Sequence, residues 1–205
     1  MTVEPSLSAR IAATEELIAR HGYVLIPPFD DRAVIAGQGT VGLEIAGDCP
    51  QADLVVVPVS GGGLISGIAA AVRAACPGSA VVGVEPELAA DARDSFRRGE
   101  PVAWPAAAVQ RTVADALRVE RVGTVPFAHI RELVTDIITV TEDEMLGAVK
   151  LLATEVRLVA EPGGAAAVAA CLFHSGELPQ ARTPVAVLSG GNIDPELLAG
   201  ILASR

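Results

Sequence analysis

Aromatic residues are nearly missing from this chain: 205 residues include four Phe, one Tyr and one Trp. Ala, Val, Leu and Gly therefore fill the core positions, which suits closely packed helices on a parallel sheet. Basic residues are also in deficit, 15 Lys and Arg against 25 Asp and Glu, for a formal charge of −10 and an isoelectric point near 4.7. Nucleic acid and anionic membrane faces both need clustered Lys and Arg, so neither is an expected partner. A small-molecule ligand fits better. Cysteine is sparse and odd in number, and Cys49, Cys76 and Cys171 lie far apart. That spacing offers neither a zinc site nor a redox pair, and the three read as buried structural thiols. The N-terminus lacks a basic segment followed by an apolar one. No run approaches the roughly 18 apolar residues of a membrane span. A cytoplasmic location is expected.

What is present is an apolar majority, 51% of residues, enough for a sizeable core in one or two domains. Its most informative stretch is Leu54-Val55-Val56-Val57-Pro58-Val59-Ser60-Gly61-Gly62-Gly63-Leu64-Ile65-Ser66-Gly67, a buried strand that breaks into a glycine turn and opens directly into a helix. Glycines let backbone approach a ligand without Cβ interference, and the first N–H groups of a helix point outward with the helix dipole behind them. This is an anion site, best suited to phosphate. A plain strand-to-helix turn is the simpler alternative, but it would need one glycine rather than three.

Periodicity places the remaining elements. Ser8 to His21 reads as an amphipathic helix closed by Gly22, and Tyr23 to Ile26 as an apolar strand ended by Pro27 and Pro28. Gly39 to Ala46 is a helix, 54 to 84 a strand–helix–strand unit, and 86 to 125 a long loop with short helices that covers a site. Pro126 to Val134 is helical and Ile137 to Val140 a strand. Thr141-Glu142-Asp143-Glu144 starts a capped helix running to about Leu158. A second glycine turn, Glu161-Pro162-Gly163-Gly164, opens an alanine-rich helix to Phe173, and the strand Pro184 to Leu188 leads into Ser189-Gly190-Gly191-Asn192. The class is α/β, a three-layer parallel sheet with helices on both faces. One rival reading is a dinucleotide-binding unit: Gly61 and Gly63 are followed about twenty residues on by the acid Glu85. Its third glycine, however, would fall at Ser66.

The ordered motifs favour another family. Pro28-Phe29-Asp30-Asp31, Ile35-Ala36-Gly37-Gln38-Gly39-Thr40, the triple glycine, Val84-Glu85-Pro86, Val113-Ala114-Asp115, Thr141-Glu142-Asp143-Glu144, Glu161-Pro162 and Leu188-Ser189-Gly190-Gly191-Asn192 together resemble the threonine dehydratase and serine racemase family. These are fold-type-II pyridoxal-phosphate enzymes of tryptophan synthase β-like architecture. The resemblance implies that Ser60, Gly61, Gly62, Gly63 and the Leu64 amide hold the cofactor phosphate. It places the Ser189 hydroxyl at the pyridine nitrogen, where a neutral group favours elimination and racemisation over transamination; a strand-end turn residue is the plain alternative. Glu161 is implied near the ring, with capping of the next helix as its alternative. Glu85, the Ala89 carbonyl and Asp91 match a divalent-cation site for Mg²⁺ or a similar ion, unless both acids are solvated loop charges.

The chain also departs from the family pattern. Members bind the cofactor aldehyde through a lysine in an N-terminal Ser-x-Lys-x-Arg-Gly type motif, and neither it nor a Ser-x-Gly-Asn-His-like segment occurs here. The expected organisation is residues 1–30 as a remnant of the small domain and 31–205 as the C-terminal part of the large cofactor domain, with roughly the first third of an ordinary member absent. Lys150, the only lysine, falls at the edge of a helix face as a solvated residue rather than a buried amine. His21, His129 and His174 sit beside no nucleophile. No catalytic residue is therefore assigned within the chain. The expected activity of the complete enzyme is dehydration of a small hydroxy-amino acid, with racemisation second and the isolated chain inactive. A non-catalytic module and a nicotinamide-binding domain are the other classes. The expected partners are the amino-acid substrate and an N-terminal polypeptide or further copies of this chain, with poor solubility if neither covers the exposed edge.

Overall fold

Leu54–Pro58 is buried at all five positions, and a strand with no wet face must lie inside a sheet covered on both sides. In the computed structural model, which describes residues 2–3 and 7–204, this strand (β1) pairs in parallel with Ala80–Pro86 (β2) on one side and Pro184–Ala186 (β4) on the other. Asp136–Val140 (β3) pairs in parallel with β2, giving the order β3-β2-β1-β4. Val56 sits opposite Val82 and Ala186.

Alternate strand residues feed opposite faces. Leu54, Val56, Val82, Val84 and Ile138 pack with Met145, Ala148 and Val149 of Glu142–Leu151 (α7) and with the alanines of Pro162–Phe173 (α8). On the other face Val55, Val57, Val81 and Ile137 meet Ile65, Ile68 and Val72 of Gly63–Ala75 (α3) and Phe127 and Ile130 of Thr124–Leu133 (α6). The three-layer parallel architecture is thus as the sequence implied. A further helix, Arg32–Asp48 (α2), lies on α3 through bare backbone: a Cβ on Gly67 would come within 2.5 Å of Gly39 N. Small residues allow that close approach, which larger side chains would prevent.

Several expectations are corrected. Among the described residues Tyr23 to Ile26 pairs with no strand, and its four side chains are exposed, Val24 at 86%. Without a neighbouring strand, β-forming side chains do not make a ladder. The helix expected from Gly39 begins seven residues earlier at Arg32, because Asp31 accepts from the N–H groups of Ala33 at 2.7 Å and Val34 at 3.1 Å, a cap worth about 1 kcal/mol. The helix from Thr141 ends as α-helix at Leu151, continues as a π turn over Leu152–Val156, and closes on Arg157 at φ 65°. The last strand stops at Ala186 rather than Leu188, and Pro195–Ala203 (α9), capped by Asp194, was not expected.

All three cysteines are free and only half-buried. The helix Leu7–His21 (α1) ends where expected, with Gly22 in the left-handed region, but no described side chain in it is buried. Glu4, Pro5 and Ser6, within the expected small-domain remnant 1–30, lie outside the described residues. Among those described, no helix is long and apolar enough to cross a membrane.

Candidate functional site

Because β1 and β4 are neighbours running the same way, the turns leaving them must emerge side by side at the carboxyl edge of the sheet. In open α/β sheets that is where ligands bind. Ser60–Gly63 leaves β1 there, and Ser189–Asn192 follows β4. Gly62 lies in the left-handed region at φ 88° and caps α3 without any side-chain hydrogen bond. Among the described residues no acceptor takes the N–H groups of Ser60, Gly61, Gly62, Gly63 or Leu64. Ser60 Oγ is buried and without a partner. Donors left bare at a helix start, beside an unsatisfied hydroxyl, fit a phosphate group.

The second turn differs. Glu161 does not cap α8 with its side chain, which corrects the capping alternative. Its carboxylate accepts from Asn192 N–H at 2.9 Å, and its own N–H donates to Gly190 O at 3.1 Å. Gly164 is a contact point: a Cβ there would lie 2.7 Å from Gly190 N. Ser189, exposed at this edge, donates its N–H to Gly164 O at 3.4 Å. Glu161 and Ser189 are thereby brought together, with Glu161 fixing the loop that carries Ser189.

Glu85 and Asp91 are not solvated loop charges. Glu85 is fully buried within β2, and Asp91, the first residue of Asp91–Arg98 (α4), is 1% exposed. Glu85 accepts from the N–H groups of Ala92 at 3.2 Å and Arg93 at 2.8 Å. That bonding also removes the dinucleotide reading, which needs the acid to face a ribose. Burial first, and the Asp91 charge second, raise the Glu85 carboxyl well above the ordinary range. Burial pushes Asp91 up to about 7, against the N–H of Val122, which lowers it. Asp91 Oδ2 is buried with no partner. Two carboxyls, an orphaned oxygen and the nearby Ala89 carbonyl fit an oxygen-liganded cation in donor type, although no cluster of three or more His, Cys, Asp or Glu occurs among the described residues.

Lys150 lies at the end of α7, and its Nζ donates to Ser204 O in an exposed position, as a solvated helix residue should. His21 ends α1, and His129 bonds the Val125 carbonyl within α6. His174, which the sequence places beside no nucleophile, joins two acids, its Nε2 lying 3.0 Å from Glu144 and its Nδ1 2.6 Å from Glu177. That cluster crosses from α8 to α7, so no sequence spacing could reveal it. The loop expected to cover a site does reach one: Gly123 N–H donates to Gly61 O at 3.0 Å.

The family model described as pyridoxal-phosphate dependent enzyme matches residues 1–190. A catabolic L-threonine dehydratase of Escherichia coli is 43% identical over 187 residues, covering 90% of this chain and 55% of that protein. The L-threo-3-hydroxyaspartate ammonia-lyase of Saccharomyces cerevisiae is 39% identical, covering 93% and 57%. The chain thus spans little more than half the length of these relatives. Among solved structures, maize serine racemase superposes with a TM-score of 0.90 at 32% identity, covering 98% of this chain and 61% of that one. Sheet order, the bare glycine turn and these likenesses agree, and the chain belongs to the pyridoxal-phosphate dependent enzymes of fold type II.

Proposed function

We propose that this chain supplies the phosphate and ring-binding part of a pyridoxal-phosphate dependent dehydratase, which eliminates water from a small hydroxy-amino acid to give a 2-oxo acid and ammonia. The observation that carries the reading is the Ser60–Leu64 turn, with its free amides and orphaned Ser60 hydroxyl beside Ser189. When bound, pyridoxal phosphate would supply the electron sink for a negative charge developing at the substrate α-carbon. Ser60, Gly61, Gly62, Gly63 and Leu64 hold the phosphate, Ser189 offers a neutral hydroxyl to the ring nitrogen, and Glu161 fixes the Ser189 loop. A neutral partner favours elimination and racemisation, and the serine racemase relatives keep racemisation as the second reading.

Lys150 does not supply the amine: it lies on α7 with its Nζ on the Ser204 carbonyl, and an N-terminal partner polypeptide would bring the lysine. The exposed Tyr23–Ile26 segment, with residues 1–30 as part of the small domain, offers a docking edge for that polypeptide. The isolated chain is therefore inactive and self-associates. Calorimetry with pyridoxal phosphate and with inorganic phosphate, followed by borohydride reduction and intact mass, tests this. Reversible binding of both without a covalent adduct is expected; an adduct on Lys150 would show that the chain carries its own lysine.

Glu85, Asp91 and the Ala89 carbonyl would bind a divalent cation, which keeps both carboxyls ionised despite their burial. Mg²⁺ or Ca²⁺ should then raise the melting temperature at pH 8, and Asp91→Asn should abolish that rise. An equal rise in the variant would remove the cation from this site.

A further inference from the structure

The triple glycine invites the view that all three lack side chains for the sake of the ligand. The packing of Phe29 divides their roles. A Cβ on Gly61 would overlap the Phe29 ring, with Cδ2 2.5 Å away, and one on Gly63 would sit 2.9 Å from Phe29 Cβ and 3.0 Å from its Cα. Gly123, at the start of α6, faces the same ring, its built Cβ falling 3.0 Å from Phe29 Cδ2. Three glycines on two separate segments therefore make room for one half-buried aromatic side chain. Gly62 alone is required by a left-handed backbone, at φ 88°.

The next residue ties the bracket down. Asp30 lies far from α6 in sequence, yet its carboxylate accepts from Thr124 N–H at 3.0 Å and Val125 N–H at 2.8 Å. It supplies the cap that Gly123, lacking a side chain, cannot. Gly123 N–H in turn donates to Gly61 O at 3.0 Å. Phe29 is thus wedged between the turn and α6, while hydrogen bonds on its flank join the two.

The geometry points to Phe29 as the positioning residue of the phosphate turn: its ring packs one side of Ser60–Gly63 and holds the backbone in the shape that leaves the amides bare on the other. This rests on the phosphate reading of that turn, and it adds why the turn keeps its shape before any anion arrives. An anion site is effective when its donors need no reorganisation, and a backbone of three glycines would otherwise be the most mobile segment at the sheet edge.

The test uses the full chain as wild type, Phe29→Ala, Phe29→Leu and Phe29→Tyr. Hydrogen exchange of the Gly123 amide, which bonds Gly61 O, reports on the bracket without any ligand. Calorimetry with inorganic phosphate and with pyridoxal phosphate reports on the turn's donors. Expected for Phe29→Ala is faster exchange at Gly123 with exchange at Val82 in the sheet unchanged, affinity for both ligands lower by about tenfold, and recovery of both in Phe29→Tyr. Phe29→Leu, which keeps apolar contact but not the flat ring, should fall between and serves if the alanine variant unfolds. Unchanged Gly123 exchange, or tighter phosphate binding without the ring, would overturn the assignment. If wild type binds neither ligand while Phe29→Ala still speeds Gly123 exchange, the phosphate reading fails and the positioning role stands.

Discussion

The two glycine turns of this molecule look alike as sequence and do opposite things. Ser60-Gly61-Gly62-Gly63 opens α3, and Glu161-Pro162-Gly163-Gly164 opens α8, each at the carboxyl edge of the sheet. In the first, backbone donors and the Ser60 hydroxyl find no partner among the described residues. In the second, Glu161 donates its N–H to Gly190 O and accepts from Asn192 N–H, and Gly164 is small so that the Ser189–Asn192 loop can touch it. A glycine before a helix therefore marks either room for a ligand or room for another piece of chain. Only the neighbour across the gap tells which.

Four substitutions sharpen that contrast. The largest effect belongs to the closed turn: Gly164→Ala drives a methyl into Gly190 backbone, which cannot swing aside as a side chain end can. A loss of about 3 kcal/mol in urea unfolding is expected, and a loss below 1 kcal/mol would mean the turn is looser than drawn. The open turn should respond in binding as well. Gly62→Ala forces a non-glycine residue into the left-handed region, costing about 1–2 kcal/mol, and should weaken inorganic phosphate binding by about tenfold; unchanged affinity in calorimetry would count against the anion site.

Third comes Asp91, buried at the start of α4. Its folded value is raised from 3.8 to about 7, so the unfolded chain ionises first as pH rises. Without a cation, stability is therefore highest below about pH 4 for this group and falls until about pH 7. Buried Glu85 acts in the same direction. Asp91→Asn should raise the melting temperature at pH 8 and flatten the decline between pH 4 and 7. A lower melting temperature at pH 8 would show that the charged form is held by something else.

The smallest effect is expected at the far end of α8. Hydrogen bonds donated to Glu177 and then to Glu144 raise His174 above 6.5, so its contribution is complete below pH 6.5 and fades as pH climbs through the folded value. Glu144 moves the other way: burial opposes the shift, but the Thr141 and His174 hydrogen bonds bring it below 4.5. Its share is present above pH 4.5 and is lost as pH falls. With side chains 21% and 23% exposed, solvent screens much of this. His174→Gln should cost little at pH 8 and measurably more at pH 6 by thermal melting; a pH-independent cost would leave only packing.

Local signals were legible where one segment carries its own reason. Val55, Val56 and Val57 announce a buried strand, Thr141 and Glu144 form the capping box their spacing implies, and the family motifs assign Ser60–Leu64 and Ser189 to one cofactor. The signal failed where a partner decides. Tyr23–Ile26 has strand-forming side chains and no strand beside it, the helix after Thr141 loosens into a π turn at Leu152, and His174 finds Glu144 across two helices.

The sequence by itself determined the α/β class, the strand-to-glycine-to-helix unit and the absence of any amine but Lys150, because hydrophobic periodicity, caps and residue identity act within a few positions. Tertiary structure alone decided that β4 lies beside β1, that Glu85 and Asp91 are buried together, and that Phe29 fills the space left by Gly61, Gly63 and Gly123. Those outcomes depend on which distant surfaces exclude water against one another, and that is set by the packing of the whole chain.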